Sequence, residues 1–191
     1  MRIQNKKTIF FDRDGTLIVD KDYLNDPTQI VYLDGVFQAL RDLRDAGYQF
    51  VIVTNQSGVA RGLISIENLD EIHRRITHEF ARHGIYFAGI YYAPFSNESN
   101  HPMRKPNPGM LLAAARDHRC DLHGSWMIGD RMSDVEAGHR AGCRTVLLDG
   151  TDSPEKSPYA RPTFVAQDVL HMARLILSCS DDASSVRVAS R

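Results

Sequence analysis

Thr8-Ile9-Phe10-Phe11-Asp12-Arg13-Asp14-Gly15-Thr16-Leu17 is the stretch from which the rest of the chain is read. An apolar run of the length of a buried strand stops at Asp12, Asp14 and Gly15, so two carboxylates are presented where a strand gives way to a turn. In an open α/β sheet the crevice outside the carboxyl ends of the strands is where ligands bind. Carboxylates this close repel unless a cation lies between them, and oxygen ligands suit Mg²⁺. The plainer reading is an Asp-Gly turn that ends a strand. A calcium loop would need acids or amides at every second position and a closing glutamate, which Gly15, Thr16 and Leu17 do not supply.

Working outward, Ile18 to Leu33 is polar, with Asp20, Asp22, Asn25 and Pro27, and reads as a loop over the site. Val36, Leu40 and Leu43 recur at helical spacing until Gly47, giving a helix from about Val36 to Ala46. Gln49 to Val53 reads as a second strand, ending in Thr54-Asn55-Gln56-Ser57-Gly58. Ser65 opens a helix through Leu69, Ile72, Ile76 and Phe80, stopped by Gly84. Ala88 to Ala93 is an aromatic third strand, followed by a loop with Pro102, Pro106 and Pro108, the last opening a helix with Met110, Leu111 and Ala114. Trp126 to Ile128 is a fourth strand cut off by Gly129-Asp130. Ser133 caps a helix through Val135 and Ala141, and Thr145 to Leu148 is a fifth strand. After a loop at Thr151 to Pro162, Thr163 to Ala166 adds an edge strand and Val169 to Leu177 a last helix. Strands alternating with helices predict an α/β fold, a parallel sheet covered on both faces. One domain over 1–177 is expected, with a disordered tail at 178–191 that is rich in Ser and Asp.

With 191 residues, 42% hydrophobic and 25% charged, the chain has ordinary globular composition. A net charge of -1 gives no general attraction to nucleic acid or anionic membrane, which favours a small-molecule substrate. Cys120, Cys143 and Cys179 show no paired spacing, arguing against disulfides and against cysteine-ligated zinc. No run is long enough to span a bilayer, and a cytoplasmic location is expected.

Four successive strand ends each deliver polar groups, and their conjunction outweighs the ordinary reading of each as a turn, cap or solvated pair. Asp12 can attack phosphorus. Asp14 can protonate the leaving oxygen and then activate water, while Thr54 can hydrogen-bond the phosphoryl oxygens. Lys105 adds positive charge, and Asp130, supported by Asp134, completes a Mg²⁺ shell with Asp12 and a backbone carbonyl assigned to Asp14.

On Asp-Arg-Asp-Gly-Thr at 12–16, Thr54, Lys105 and Gly129-Asp130 through Asp134, the chain resembles the haloacid-dehalogenase superfamily phosphatases. The resemblance implies a Rossmann-like sheet, an aspartyl-phosphate on Asp12 and a Mg²⁺ requirement. Asp20 to Tyr23, Thr54 through Gly62, Gly89 to Tyr92 and Arg104-Lys105-Pro106 through Leu112 are further similar to the heptose 1,7-bisphosphate phosphatases, relatives of histidinol-phosphate phosphatase. That implies removal of a position-7 phosphate in heptose biosynthesis for lipopolysaccharide or capsule.

Such an enzyme must hold a second phosphate without attacking it, and Arg104 is the candidate holder. Asp20, Lys21, Asp22, Tyr23, Asn55, Gln56, Ser57 and Arg131 complete the expected substrate contacts. Many members of that family carry a zinc loop before the Arg-Lys-Pro motif. Here Ala93, Phe95, His101 and Met103 stand in its place, so zinc is not expected.

His73, His78 and His83 recur every five residues, off any common helical face, and read as solvated. The motif spacing leaves no room for a separate cap domain, and a monomer or weak homo-oligomer is expected. Histidinol-phosphate phosphatase is the nearest alternative. A polynucleotide 3'-phosphatase wants a basic groove, and a non-catalytic scaffold wants a lost catalytic group; neither feature is present.

Overall fold

The structure, a computed structural model, describes residues 5–149 and 161–185, with the backbone alone for 180–185. In chain order its elements are β1 (Thr8–Phe11), α1 (Val36–Asp45), β2 (Gln49–Asn55), α2 (Ser57–Ala60), α3 (Ile66–Arg82), β3 (Phe87–Ala93), α4 (Gly109–His118), β4 (Trp126–Gly129), α5 (Met132–Ala141), β5 (Arg144–Leu148), β6 (Phe164–Ala166) and α6 (Val169–Ser185). The strands form one parallel sheet in the order β3-β2-β1-β4-β5-β6. The chain runs outward from β1 through β2 to β3, then returns to place β4 on the other side of β1. The strand order therefore reverses between β1 and β4, the position at which ligands bind in open α/β sheets.

Alternation along β1 explains why its sequence is apolar from Ile9 to Phe11. Ile9 and Phe11 enter a core shared with α1, α3 and α6, whereas Phe10 enters a second core shared with α4 and α5. A parallel strand covered on both faces has no solvent side to mark with polar residues. The Ser65 hydroxyl caps α3 by accepting from the Asn68 amide at 3.1 Å, leaving Leu69, Ile72, Ile76 and Phe80 as its buried stripe.

Three local expectations are corrected. The loops expected after β1 and β2 contain a 3-10 turn at Pro27–Gln29 and the single helical turn α2. Helix α5 starts at Met132, because the Asp134 carboxylate accepts from the Arg131 amide at 3.1 Å; Ser133 lies inside the first turn and is not the cap. The tail expected to be disordered from residue 178 continues α6 as far as Ser185. Ser178 itself fits a helix because its hydroxyl donates back to the Leu175 carbonyl at 2.8 Å. Residues 186–191, and 151–160 of the expected loop, lie outside the described residues. Among the described residues no helix is long and apolar enough to cross a membrane.

Candidate active site

The carboxyl ends of β1, β2 and β4 meet at the switch point. The Asp12 amide donates to the Ile128 carbonyl at 2.8 Å, so the β1–β4 pairing carries Asp12 into the crevice. Gly15 follows at φ +71°, and a Cβ there would overlap the Asp130 carboxylate; only glycine allows the two loops to close on each other.

Lys105 arrives from the proline-rich loop and is 2% exposed. Its Nζ lies 2.8 Å from the Val53 carbonyl, 2.9 Å from Asp12 Oδ1 and 2.6 Å from Asp134 Oδ1. An ammonium has three donors, and three oxygens surround this one. Burial opposes its charge, but Asp12 and Asp134 outweigh that penalty and hold its pKa above the ordinary lysine value. Asn55 fixes the backbone here: its Oδ1 accepts from the Lys105 amide and its Nδ2 donates to the Lys105 carbonyl, both at 3.0 Å. Both polar atoms of Asn55, expected to meet substrate, are therefore engaged in placing Lys105.

Asp12, Asp130 and Asp134 bring carboxylate oxygens within 4.8 Å of one another. Asp130 Oδ1 is buried with no hydrogen-bond donor. Burial first, then Asp12 and Asp134, push the Asp130 pKa up to about 7. Crowded carboxylates with an orphaned oxygen fit a hard divalent cation, which takes about six oxygen ligands. The Asp14 carboxylate is not among them.

Asp14 is held from two sides. Arg13 donates to both its oxygens through Nε and Nη2, at 2.8–3.2 Å. Gln56 donates to Asp14 Oδ2 and to Thr54 Oγ1, both at 2.9 Å. Burial raises the Asp14 pKa, Arg13 opposes that rise, and Asp12 reinforces it. Thr54 is 1% exposed and lies behind Gln56.

Above this floor opens a pocket of about 440 Å³. Of the residues named from sequence, Asp20, Asp22, Tyr23, Ser57, Arg104 and Arg131 line it, whereas Lys21, Thr54 and Asp130 do not. Arg104 donates to Asn97 Oδ1 at 2.7 Å and to the Phe95 carbonyl at 3.4 Å. Arg131 pairs with Asp20 at 2.9 Å, and Arg61 donates to the Tyr23 hydroxyl. Sequence reasoning missed Arg13 and Asn97 as site residues. Arg13 lay in plain view between the two acids, but no spacing rule marks Asn97.

His73 is corrected outright: it is 7% exposed, with Nε2 at 3.2 Å from Arg13 Nη1. Burial and the Arg13 charge push its pKa down to about 3. The missed signal was its place on the stripe of Leu69, Ile72, Ile76 and Phe80, whereas the five-residue histidine spacing was uninformative.

An acid cluster with a buried lysine at the switch point of a parallel sheet is the arrangement of one large class of hydrolases, and the chain belongs to it: it is a haloacid-dehalogenase-like phosphatase. The HAD-hydrolase-like family profile matches residues 102–172. The chain is 35% identical over 178 residues to the D-glycero-beta-D-manno-heptose-1,7-bisphosphate 7-phosphatase of Pasteurella multocida, covering 90% of this chain and 97% of that protein. With the enzyme of the same name from Vibrio cholerae it shares 38% identity over 156 residues, covering 78% and 84%. Its fold matches the crystal structure of D,D-heptose 1.7-bisphosphate phosphatase from B. bronchiseptica, complexed with magnesium and phosphate. The TM-score is 0.81 at 32% identity, covering 90% of this chain and 98% of that one.

Proposed function

We infer that the protein removes the position-7 phosphate of D-glycero-D-manno-heptose 1,7-bisphosphate, leaving heptose 1-phosphate for nucleotide-activated heptose biosynthesis. The observation that carries this reading is the pairing of a phosphoryl-transfer floor, Asp12, Lys105 and Asp134, with a guanidinium at the rim of the same pocket. Asp12 attacks phosphorus while Asp14 gives its proton to the departing sugar oxygen. Asp14 then takes a proton from the water that cleaves the aspartyl-phosphate, releasing phosphate and regenerating Asp12. Lys105 stabilises charge on the phosphoryl oxygens. Asp12, Asp130 and Asp134 are the residues that would hold Mg²⁺, which supplies charge neutralisation when bound.

Arg104 is better suited than Arg131 to grip the remote phosphate. Its side-chain partner is the neutral Asn97 amide, and among the described residues no carboxylate lies within ion-pair distance, whereas Arg131 is already paired with Asp20. The acids Asp20, Asp22 and Glu98 on the same rim favour a second reading, histidinol phosphate, whose ammonium they would attract. Steady-state rates with Mg²⁺ on both anomers of heptose 1,7-bisphosphate, fructose 1,6-bisphosphate and histidinol phosphate decide between them. The heptose bisphosphate is expected to give the highest kcat/KM. A clear preference for histidinol phosphate would overturn the assignment.

A further inference from the structure

Helix α3 presents an apolar stripe to the core, and one imidazole interrupts it. His73 lies four residues after Leu69 and three before Ile76, fully inside that stripe, beside the Tyr92 ring at 5.7 Å between centroids. A polar ring in such a place costs free energy unless it is hydrogen-bonded. Its partner is Arg13, whose guanidinium is 1% exposed and is reached from 60 residues away in sequence. A guanidinium only donates, so His73 must accept through Nε2 and is neutral, with its proton on Nδ1.

The guanidinium is planar and presents its donors in a fixed fork. One edge, Nε and Nη2, grips both oxygens of Asp14, and the remaining nitrogen, Nη1, meets His73. Holding Nη1 therefore sets the plane in which the other edge lies, and with it the plane of the Asp14 carboxyl group. Of the three residues only Asp14 has substantial access to the pocket, with 21% of its side chain exposed against 1% for Arg13. Packing alone gives no reason for this chain of contacts, since a leucine suits an apolar helical stripe better than a histidine does.

We propose that His73 is a positioning residue for Asp14, acting through Arg13 to orient the carboxyl group that exchanges protons with the leaving oxygen and the attacking water. The proposal rests on the reading of Asp14 as general acid and base. A leaving group that departs readily as an anion needs little protonation, so misplacing the acid slows a poor leaving group and spares a good one. Loss of fold or of phosphate binding slows both alike.

The test compares phenyl phosphate with p-nitrophenyl phosphate, two substrates of similar shape and different leaving groups, on the full chain with Mg²⁺. The proteins are wild type, His73→Leu, His73→Gln and Asp14→Asn, with thermal unfolding recorded for each. His73→Leu is expected to lower kcat/KM, which reports only the steps through departure of the leaving group and not the shared hydrolysis of the aspartyl-phosphate, by about tenfold to a hundredfold on phenyl phosphate and by less than about threefold on p-nitrophenyl phosphate. His73→Gln, whose amide oxygen accepts from Arg13, is expected to recover most of the loss. Should His73→Leu not fold, Arg13→Lys reads the same link, because a lysine cannot grip Asp14 and meet His73 together; the same selective loss is expected. Equal losses on both substrates, or none, overturn the proposal. If Asp14→Asn is selective and the His73 and Arg13 variants are not, only the positioning role falls. If Asp14→Asn itself lowers kcat/KM equally on both substrates, the acid role of Asp14 falls and the positioning role with it.

Discussion

The floor and the rim of the pocket are built from the same kinds of residue and held in opposite ways. On the floor, Lys105, on the proline-rich loop and held by the end of β2, and Asp134, in the first turn of α5, have side chains each 1% exposed and sit 2.6 Å apart. On the rim, Arg131 and Asp20 form a pair of similar chemistry at 2.9 Å with 61% and 32% of their side chains exposed. Breaking a buried pair leaves an uncompensated charge and costs about 3–5 kcal/mol, whereas an exposed pair is worth about 0–1 kcal/mol. The difference implies a division of labour. On the proposed reading, the floor carries chemistry that tolerates no rearrangement, and the rim carries recognition that can be rebuilt with little effect on stability.

The largest expected effect is on turnover. Asp12→Asn replaces the proposed nucleophile with an amide and should lower kcat by at least about a thousandfold on every substrate. Near-normal rates would break the assignment of chemistry to the floor.

Next comes stability, measured by urea unfolding at pH 7.5. Lys105→Ala should cost about 3–5 kcal/mol, and Arg131→Ala less than about 1 kcal/mol. Similar costs for the two would erase the contrast between the regions.

The support behind the floor adds a pH dependence. The His73 pKa is depressed to about 3 by burial and by Arg13. The unfolded chain therefore binds a proton below about pH 6.5 that the folded chain refuses. This contribution to stability is fully present above pH 6.5 and is lost as the pH falls towards 3, by about 1.4 kcal/mol per pH unit. Unfolding free energies of wild type and His73→Gln at pH 7.5 and pH 5 should differ in slope by about 2 kcal/mol over that interval. Parallel slopes would mean that the imidazole takes up its proton in the folded protein.

The same contrast explains what could be read from sequence. Asp12 and Asp130 each follow an apolar strand, with Gly15 three residues after Asp12 and Gly129 directly before Asp130, so their position follows from strand periodicity and from the need for close approach. Lys105 was legible only by its company, since nothing local says that a lysine in a proline-rich loop turns inward to Val53 and two carboxylates. Asn55 read as a donor for substrate because a sequence does not reveal that the Lys105 backbone will occupy both ends of its amide. His73 was misread because histidines were compared with one another instead of with the apolar stripe they share. The partners of Arg104 at Asn97 and Phe95 depend on loop path, which no periodicity encodes.

The division of labour is tested most directly by Arg104→Ala, assayed on heptose 1,7-bisphosphate and on p-nitrophenyl phosphate, which has no remote anion. Loss of a charge-assisted contact to the second phosphate should cost about 1.5–3 kcal/mol, a tenfold to hundredfold fall in kcat/KM for the bisphosphate. The rate on p-nitrophenyl phosphate should change by less than about twofold. An equal fall on both substrates would contradict the account, placing Arg104 with Lys105 in the chemistry and leaving the rim without its part in choosing the substrate.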